Sequence, residues 1–268
     1  MNNKKLFLTD LDGTLLNDQN VVSPATRKAL EDFTAAGNVF AISTGRAMES
    51  VLHVVKELEL SYPGMYILSY NGALIYDCDA KKSLFRASIP FDAVQELLDM
   101  ANERDIHIQT YTDRYIVAPA YNEHLDFYRI RVQTPVIIDP DIVSELPEPP
   151  CKMLAVERHD HAKLERLRTA IHERYGDRFT TIYSNQYLLE IVPAEAGKGN
   201  ALVRLRDHLG ILPQNTMAAG DAENDISMIE AAGLGIAMKN GSDEAKAAAD
   251  VVTKEDNNHD GLVPFLAV

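Results

Sequence analysis

At 268 residues the chain is long enough to bury a sizeable core, as one large domain or two smaller ones. Its composition is that of a globular protein, 46% hydrophobic and 25% charged, and its net charge of -14 argues against nucleic acid or anionic membrane as the main partner. Any phosphate-binding site must therefore be made locally positive by Lys, Arg, backbone N–H groups or a cation. Cys78 and Cys151 form no CxxC and no spacing that suits zinc, which reads as two reduced thiols of a cytosolic protein. The start MNNKKLFLTD has too short an apolar run for a signal peptide, and no later run approaches membrane-spanning length. The expectation is a soluble, cytoplasmic protein.

In chain order, Lys5 to Thr9 reads as a short buried strand ending at Asp10. Ser23-Pro24 marks a helix start, a capping hydroxyl followed by a pre-set first turn, and Gly37 ends that helix. Val39 to Ile42 is a second strand, running into Ser43-Thr44-Gly45-Arg46. A helix through Val51, Val54, Val55 and Leu58 follows, then a strand at Tyr66 to Leu68. Strands alternating with helices predict parallel βαβ units, whose ligands sit outside the carboxyl ends of the strands.

Near residue 85 the texture changes. Phe91 to Arg104 predicts an amphipathic helix, and Ile106 to Tyr111 with Tyr115 to Val117 predicts paired strands. Pro135 to Pro150, rich in Pro and acidic residues, reads mostly as loop. A strand at Met153 to Val156, a helix at Ala162 to Tyr175 and a hairpin of Phe179 to Tyr183 with Tyr187 to Val192 complete an α+β block. After Gly197 the first rhythm resumes: helix Lys198 to Leu209, strand Thr216 to Ala219, helix Asn224 to Ala232, strand Gly235 to Ala237, helix Ser242 to Ala249 and a short strand at Val251-Val252.

Four groups fall at strand-to-helix or loop-to-helix junctions: Asp10/Asp12, Thr44-Gly45-Arg46, Lys198, and Asp221 with Asn224-Asp225. Together they hold what phosphoryl transfer from a monoester needs. Carboxylates suit Mg²⁺, one carboxylate can attack phosphorus, and another can move the proton of the leaving alcohol. Lysine, hydroxyl and N–H groups can steady the phosphoryl oxygens. A calcium loop starting at Asp10 would need Gly at its sixth position and Glu at its twelfth, where Leu15 and Val21 stand. Taken singly, each group has a plainer reading: an Asx turn at Asp10, a strand-ending turn at Thr44-Gly45, a solvated Lys198, helix caps at Asp221 and Asn224. Arg46 is either a phosphate contact or a salt bridge that holds its loop. His159-Asp160-His161 invites a metal, against Asp160 as the cap of the next helix.

Asp10-Leu11-Asp12-Gly13-Thr14-Leu15-Leu16 resembles the first motif of the haloacid dehalogenase-like (HAD) phosphatases. Ala41 to Arg46 is similar to the second, Lys198-Gly199 to the third and Gly220 to Asp225 to the fourth. Ser69-Tyr70-Asn71-Gly72-Ala73 resembles a stretch of the Cof-type branch, which carries a large α/β cap. The resemblance implies a Rossmann-like parallel-sheet core over residues 1–84 and 193–268 and an inserted cap over residues 85–192 that sets specificity. It implies Asp10 as nucleophile and Mg²⁺ ligand, and Asp12 as general acid/base, ligating through its backbone carbonyl. It implies phosphate held by Leu11 N–H, Thr44, Gly45 N–H, Lys198 and Asn224, with Asp221 as a further metal ligand and Asp225 supporting it from behind. The implied activity is a Mg²⁺-dependent phosphatase of small phosphorylated metabolites, sugar phosphates first, acting through an aspartyl-phosphate. A phosphomutase and a non-catalytic phosphometabolite-binding protein are the alternatives.

Overall fold

A computed structural model describes residues 4–132 and 134–267. The elements run β1 (Leu6–Thr9), α1 (Pro24–Ala35), β2 (Val39–Ser43), α2 (Met48–Glu57), β3 (Tyr66–Ser69), β4 (Leu74–Asp77) and β5 (Lys82–Arg86). Next come α3 (Phe91–Asn102), β6 (His107–Tyr111), β7 (Ile116–Ala118), α4 (Glu123–Val132), β8 (Val136–Ile138), β9 (Met153–Val156), α5 (His161–Tyr175), β10 (Phe179–Asn185) and β11 (Leu188–Pro193). The chain closes with α6 (Lys198–His208), β12 (Thr216–Gly220), α7 (Ile226–Ala231), β13 (Leu234–Ala237), α8 (Asp243–Ala248) and β14 (Val251–Val252). It divides into two compact units. One takes the chain up to Gly45, Val54–Phe85 and the chain from Gly197 on; the other takes Arg46–His53 and Arg86–Ala196.

The first unit is built on an eight-stranded sheet in the order β14-β13-β12-β1-β2-β3-β4-β5. From β14 to β3 all neighbours are parallel, and β4 returns antiparallel to β3. β1 sits in the middle and is buried along its whole length, as a strand covered on both faces must be. Leu6, Leu8, Ala41 and Leu68 pack with Ala201, Leu202 and Leu205 of α6 and Met228 of α7. Among the other strand residues, Phe7 meets Phe33 of α1 edge-on and stacks with Phe40, which in turn meets Tyr62 edge-on. Ser23 caps α1, its hydroxyl accepting from the N–H of Thr26 at 3.0 Å.

Register places the site. Thr9 pairs with Ile42 on one side and Ala219 on the other, and Ser43 pairs with Leu68. The carboxyl ends of β12, β1, β2 and β3 therefore lie along one sheet edge. Asp221, Asp10, Thr44 and Tyr70 are the residues that step off it.

The second unit holds a six-stranded sheet, β10-β11-β9-β6-β7-β8, antiparallel except for β7 with β8. Ile108, Met153, Ala155, Leu189 and Ile191 pack with Val94, Leu97 and Leu98 of α3 and Leu164, Leu167 and Ile171 of α5. On the other face, buried polar residues (His107, Gln109, Lys152 and Glu190) lie among the apolar Leu154, Val156, Leu188 and Val192. Asn122 donates its amide to His107 Nδ1 at 3.0 Å, so the ring proton sits on Nε2 and points to Gln109 Oε1 at 3.1 Å. Gln109 in turn donates to the Tyr111 hydroxyl at 3.0 Å. Burial depresses the His107 pKa to about 4, which keeps the imidazole neutral within this chain of bonds. Beside it Lys152 and Glu190 form a buried ion pair at 2.9 Å, with the Lys152 ammonium 5.1 Å from the centre of the Tyr111 ring.

The expected strands and helices are present within a residue or two at most ends, with differences where local pattern was thin. The stretch expected as mostly loop, Pro135 to Pro150, contains β8 and a 3₁₀ turn at Ile142–Glu145 capped by Asp141. β8 is only Val-Ile-Ile between Pro135 and Asp139, too short for alternation to show; β7 holds it by pairing. β4, β5 and α4 were not anticipated. α4 carries acidic or basic residues through every turn, so no clean apolar stripe announces it. Among the described residues no helix is long and apolar enough to cross a membrane.

The buried pair yields a stability prediction. Lys152→Met leaves the Glu190 carboxylate buried without its cation and is expected to cost about 3–5 kcal/mol. The double variant Lys152→Met/Glu190→Leu removes both charges and should lose far less. Urea unfolding of the three proteins compares them; equal losses for the single and double variants would contradict the expectation.

Candidate active site

The loop after β1 is shaped by one glycine. Asp10 is tied to β12 by its N–H, which donates to the Ala219 carbonyl at 2.8 Å. Leu16 N–H donates back to the Leu11 carbonyl at 2.8 Å, closing a tight turn over Gly13. Gly13 has φ +80°, and a Cβ there would lie 2.7 Å from Asp221 Oδ2. The next residue, Thr14, donates its hydroxyl to Asp221 Oδ1 at 2.8 Å. Asp12 stands exposed at the head of the loop, close enough that its charge pushes up the pKa values of Asp10 and Asp221.

Lys198 opens α6 directly after Gly197, whose φ of +118° turns the chain inward. Its side chain is 0% exposed, and its ammonium lies 2.6 Å from Asp10 Oδ1 and 2.5 Å from Asp225 Oδ1. The other oxygen of Asp225 accepts the N–H groups of Asp221 at 2.9 Å and Ala222 at 3.0 Å. Asp225 is thus fully engaged, while Asp10, Asp221 and Asp225 each bring one oxygen within 4.8 Å of the others.

The electrostatics follow from burial. Burial raises the Asp10 pKa well above the carboxylate range; Lys198 pulls it down, and Asp225, Asp221 and Asp12 push it further up. Asp221 is pushed up to about 6 by burial and by Asp225, against the Thr14 hydrogen bond and Lys198. Burial alone would lower the Lys198 pKa, but Asp10 and Asp225 together outweigh it and keep the ammonium charged. Three crowded carboxylates against one ammonium leave negative charge unbalanced. An all-oxygen donor set with that excess fits a hard dication such as Mg²⁺.

Thr44 is buried just past β2. Its N–H donates to the Leu68 carbonyl at 2.8 Å, and its own carbonyl accepts the N–H of Asn71 at 3.0 Å. Gly45 and Arg46 follow, half-buried. Asn224 donates its side-chain amide to Asn71 Oδ1 at 3.1 Å, and Gly197 donates its N–H to the Asn71 carbonyl at 2.8 Å. Leu11 is wholly buried at the base of the loop. Asp10, Lys198, Asp221 and Asp225 therefore touch or nearly touch, and Asn71 links Thr44, Asn224 and the entry to Lys198. Asn71 was not singled out as a site residue from the sequence. The available signal was an Asn-Gly pair shortly after a buried strand, a place where left-handed backbone is expected.

The other sequence candidates serve structure. Asp160 caps α5, its carboxylate accepting the N–H of Ala162 at 3.0 Å. His161 Nδ1 meets the Gln186 carbonyl at 2.8 Å, and His159 Nε2 meets Glu123 at 3.2 Å. Burial pushes the thiols of Cys78 and Cys151 up to about 12, far from a reactive thiolate.

Residues 7–266 match the sequence profile of the haloacid dehalogenase-like hydrolases. The chain belongs to that family. YxeH of Bacillus subtilis, described provisionally as a phosphatase, is 31% identical over 259 residues, spanning 95% of this chain and 94% of that one. The 5-amino-6-(5-phospho-D-ribitylamino)uracil phosphatase YwtE, also of Bacillus subtilis, is 29% identical over 98% of this chain and 96% of its own. A HAD-like hydrolase of Bacteroides thetaiotaomicron, solved as a crystal structure, superposes with a TM-score of 0.88 at 29% identity over 98% of both chains. The HAD-like core and the inserted α+β block are thus a shared architecture.

A dication held by Asp221 would need its carboxylate form, and burial pushes that carboxyl up to about 6, so the contribution of Asp221 to dication affinity should fall as the solution is acidified. The loss from this group is small between pH 7.5 and 6.5, and below 6 it is expected to approach tenfold per pH unit. Calorimetric titration with Mg²⁺ across that range reads it; affinity flat down to pH 5 would contradict it.

Proposed function

We propose that the protein is a Mg²⁺-dependent phosphatase that hydrolyses small phosphorylated metabolites through an aspartyl-phosphate on Asp10. The observation that carries this is the buried Lys198 ammonium held 2.6 Å from Asp10 and 2.5 Å from Asp225. A structural lysine has little reason to be buried among carboxylates at a sheet edge. A lysine that fixes a nucleophile and meets an incoming phosphoryl group does.

In this reading Asp10 and Asp221, with the Asp12 carbonyl, would hold the dication, and Asp225 steadies Lys198 and the Asp221 loop. When bound, the dication draws negative charge off the phosphoryl oxygens. Leu11 N–H, Thr44, Gly45 N–H, Lys198 and Asn224 bind and orient the phosphate. An Asp10 carboxylate oxygen forms a bond to phosphorus as the bond from phosphorus to the alcohol oxygen breaks, and Asp12 gives that oxygen its proton. Asp12, now ionised, takes a proton from water. The water oxygen attacks phosphorus, the acyl-phosphate bond breaks, and Asp10 is restored as inorganic phosphate leaves.

We assign the core to residues 1–84 and 193–268, and the choice of leaving group to the cap at residues 85–192. A sugar or polyol phosphate is the proposed substrate class; the name of YwtE carries an open-chain 5-phosphoribityl group, which belongs to that class. Two free cysteines and a net charge of -14 suit a cytosolic enzyme of small anions better than a nucleic-acid or membrane partner.

A panel of phosphorylated metabolites assayed for phosphate release in Mg²⁺ tests the reading. Release without any isomeric phosphate ester is expected, and an isomer would point to a mutase. Asp10→Asn should lower release at least about a thousandfold. Activity surviving that change would overturn the mechanism.

A further inference from the structure

Asn71 lies two residues past the end of β3, in a run where Tyr70, Asn71 and Gly72 have φ of 52°, 53° and 84°. Three successive left-handed residues are costly for L side chains, and Asn is among the few that accept the conformation. A Cβ on Gly72 would meet the Gly197 carbonyl oxygen at 2.6 Å, so the strand-end turn lies hard against the entry to Lys198. Asn71 itself is 1% exposed. Its backbone joins two loops, donating to Thr44 O at 3.0 Å and accepting from Gly197 N–H at 2.8 Å. Its side chain goes to a third, with Oδ1 accepting from Asn224 Nδ2 at 3.1 Å.

A carboxamide can face an anion with either end, and only its NH₂ end attracts one. With Asn71 Oδ1 facing it at 3.1 Å, Asn224 meets that oxygen only by presenting Nδ2. The reverse orientation would set two oxygens against each other at that distance. Nδ2 carries two N–H groups in a rigid plane. One is spent on Asn71, and the second is left to donate elsewhere.

We infer that Asn71 is a positioning residue for the phosphate site, turning the Asn224 amide so that an N–H, not its carbonyl, meets the anion. This rests on the proposed contact between Asn224 and phosphate. Asn71 acts through that neighbour and through the loops it joins.

The probe is inorganic phosphate, titrated calorimetrically in Mg²⁺ against wild type, Asn71→Gly, Asn224→Ala and the double variant. Glycine keeps the left-handed backbone and removes only the side chain. Asn71→Gly and Asn224→Ala are each expected to weaken phosphate about tenfold. The double variant should bind no more weakly than Asn224→Ala alone, because the two residues act in series. Losses that add in the double variant would show a general structural role for Asn71 and overturn the inference, as would wild-type affinity in Asn224→Ala. A second measurement needs no Asn71 variant. In ¹⁵N-labelled wild type, one Asn224 Nδ2 proton should exchange slowly without phosphate and the other become protected when phosphate is added. Two freely exchanging protons before phosphate is added would also overturn it. Both measurements read anion binding without turnover. An absence of phosphate release across the ester panel would sink the phosphatase reading while leaving them intact.

Discussion

The ammonium of Lys198, sealed among carboxylates at the end of a parallel sheet, is the constraint around which the first unit is arranged. A charge at 0% exposure is stable only if it is paired and hydrogen-bonded, and breaking such a pair on one side costs several kcal/mol. Its place at the first turn of α6 adds to the difficulty, since a helix N-terminus disfavours a cation. Asp10 and Asp225 answer both costs. They arrive from opposite parts of the sequence, after β1 and just before α7, and only the parallel register of β1 with β12 brings them to one edge. Asp225 is then fixed in turn by the N–H groups of Asp221 and Ala222, so the loop after β12 is locked to the lysine.

The same sheet edge explains why the backbone around the site is unusual. Gly13 is needed because a side chain there would run into Asp221, and Gly72 because one would run into Gly197. Both are close approaches of loops that converge at the carboxyl ends of the parallel strands. The second unit meets a comparable problem on its sheet with neutral hydrogen bonds from Asn122 through His107 and Gln109 to Tyr111, beside the Lys152–Glu190 pair. There an apolar helix-packed face backs a second face on which buried polar groups lie among apolar residues.

Much of this was legible in the sequence because it is local. Alternation of buried strands with amphipathic helices announced the core, Ser23-Pro24 and Asp160 announced helix starts, and Asp10, Lys198 and Asp221 announced themselves by sitting at junctions. What did not show was non-local. β8 is three residues held by pairing with β7, and α4 has no apolar stripe of its own. Asn71 looks like any turn asparagine until Thr44, Gly197 and Asn224 are seen around it. The ion pair between Lys152 and Glu190 joins residues 38 apart, and nothing near either predicts the other.

The central claim is that Asp10 becomes the phosphorylated nucleophile. The direct measurement mixes the wild-type enzyme in Mg²⁺ with the ester it cleaves fastest, quenches in acid within a single turnover, and reduces with borohydride before digestion and mass spectrometry. The account predicts that the peptide containing Asp10 carries homoserine at that position, the product of reducing an aspartyl-phosphate, and that Asp12, Asp221 and Asp225 are unchanged. An unmodified Asp10 at a time when inorganic phosphate has already been released would contradict it.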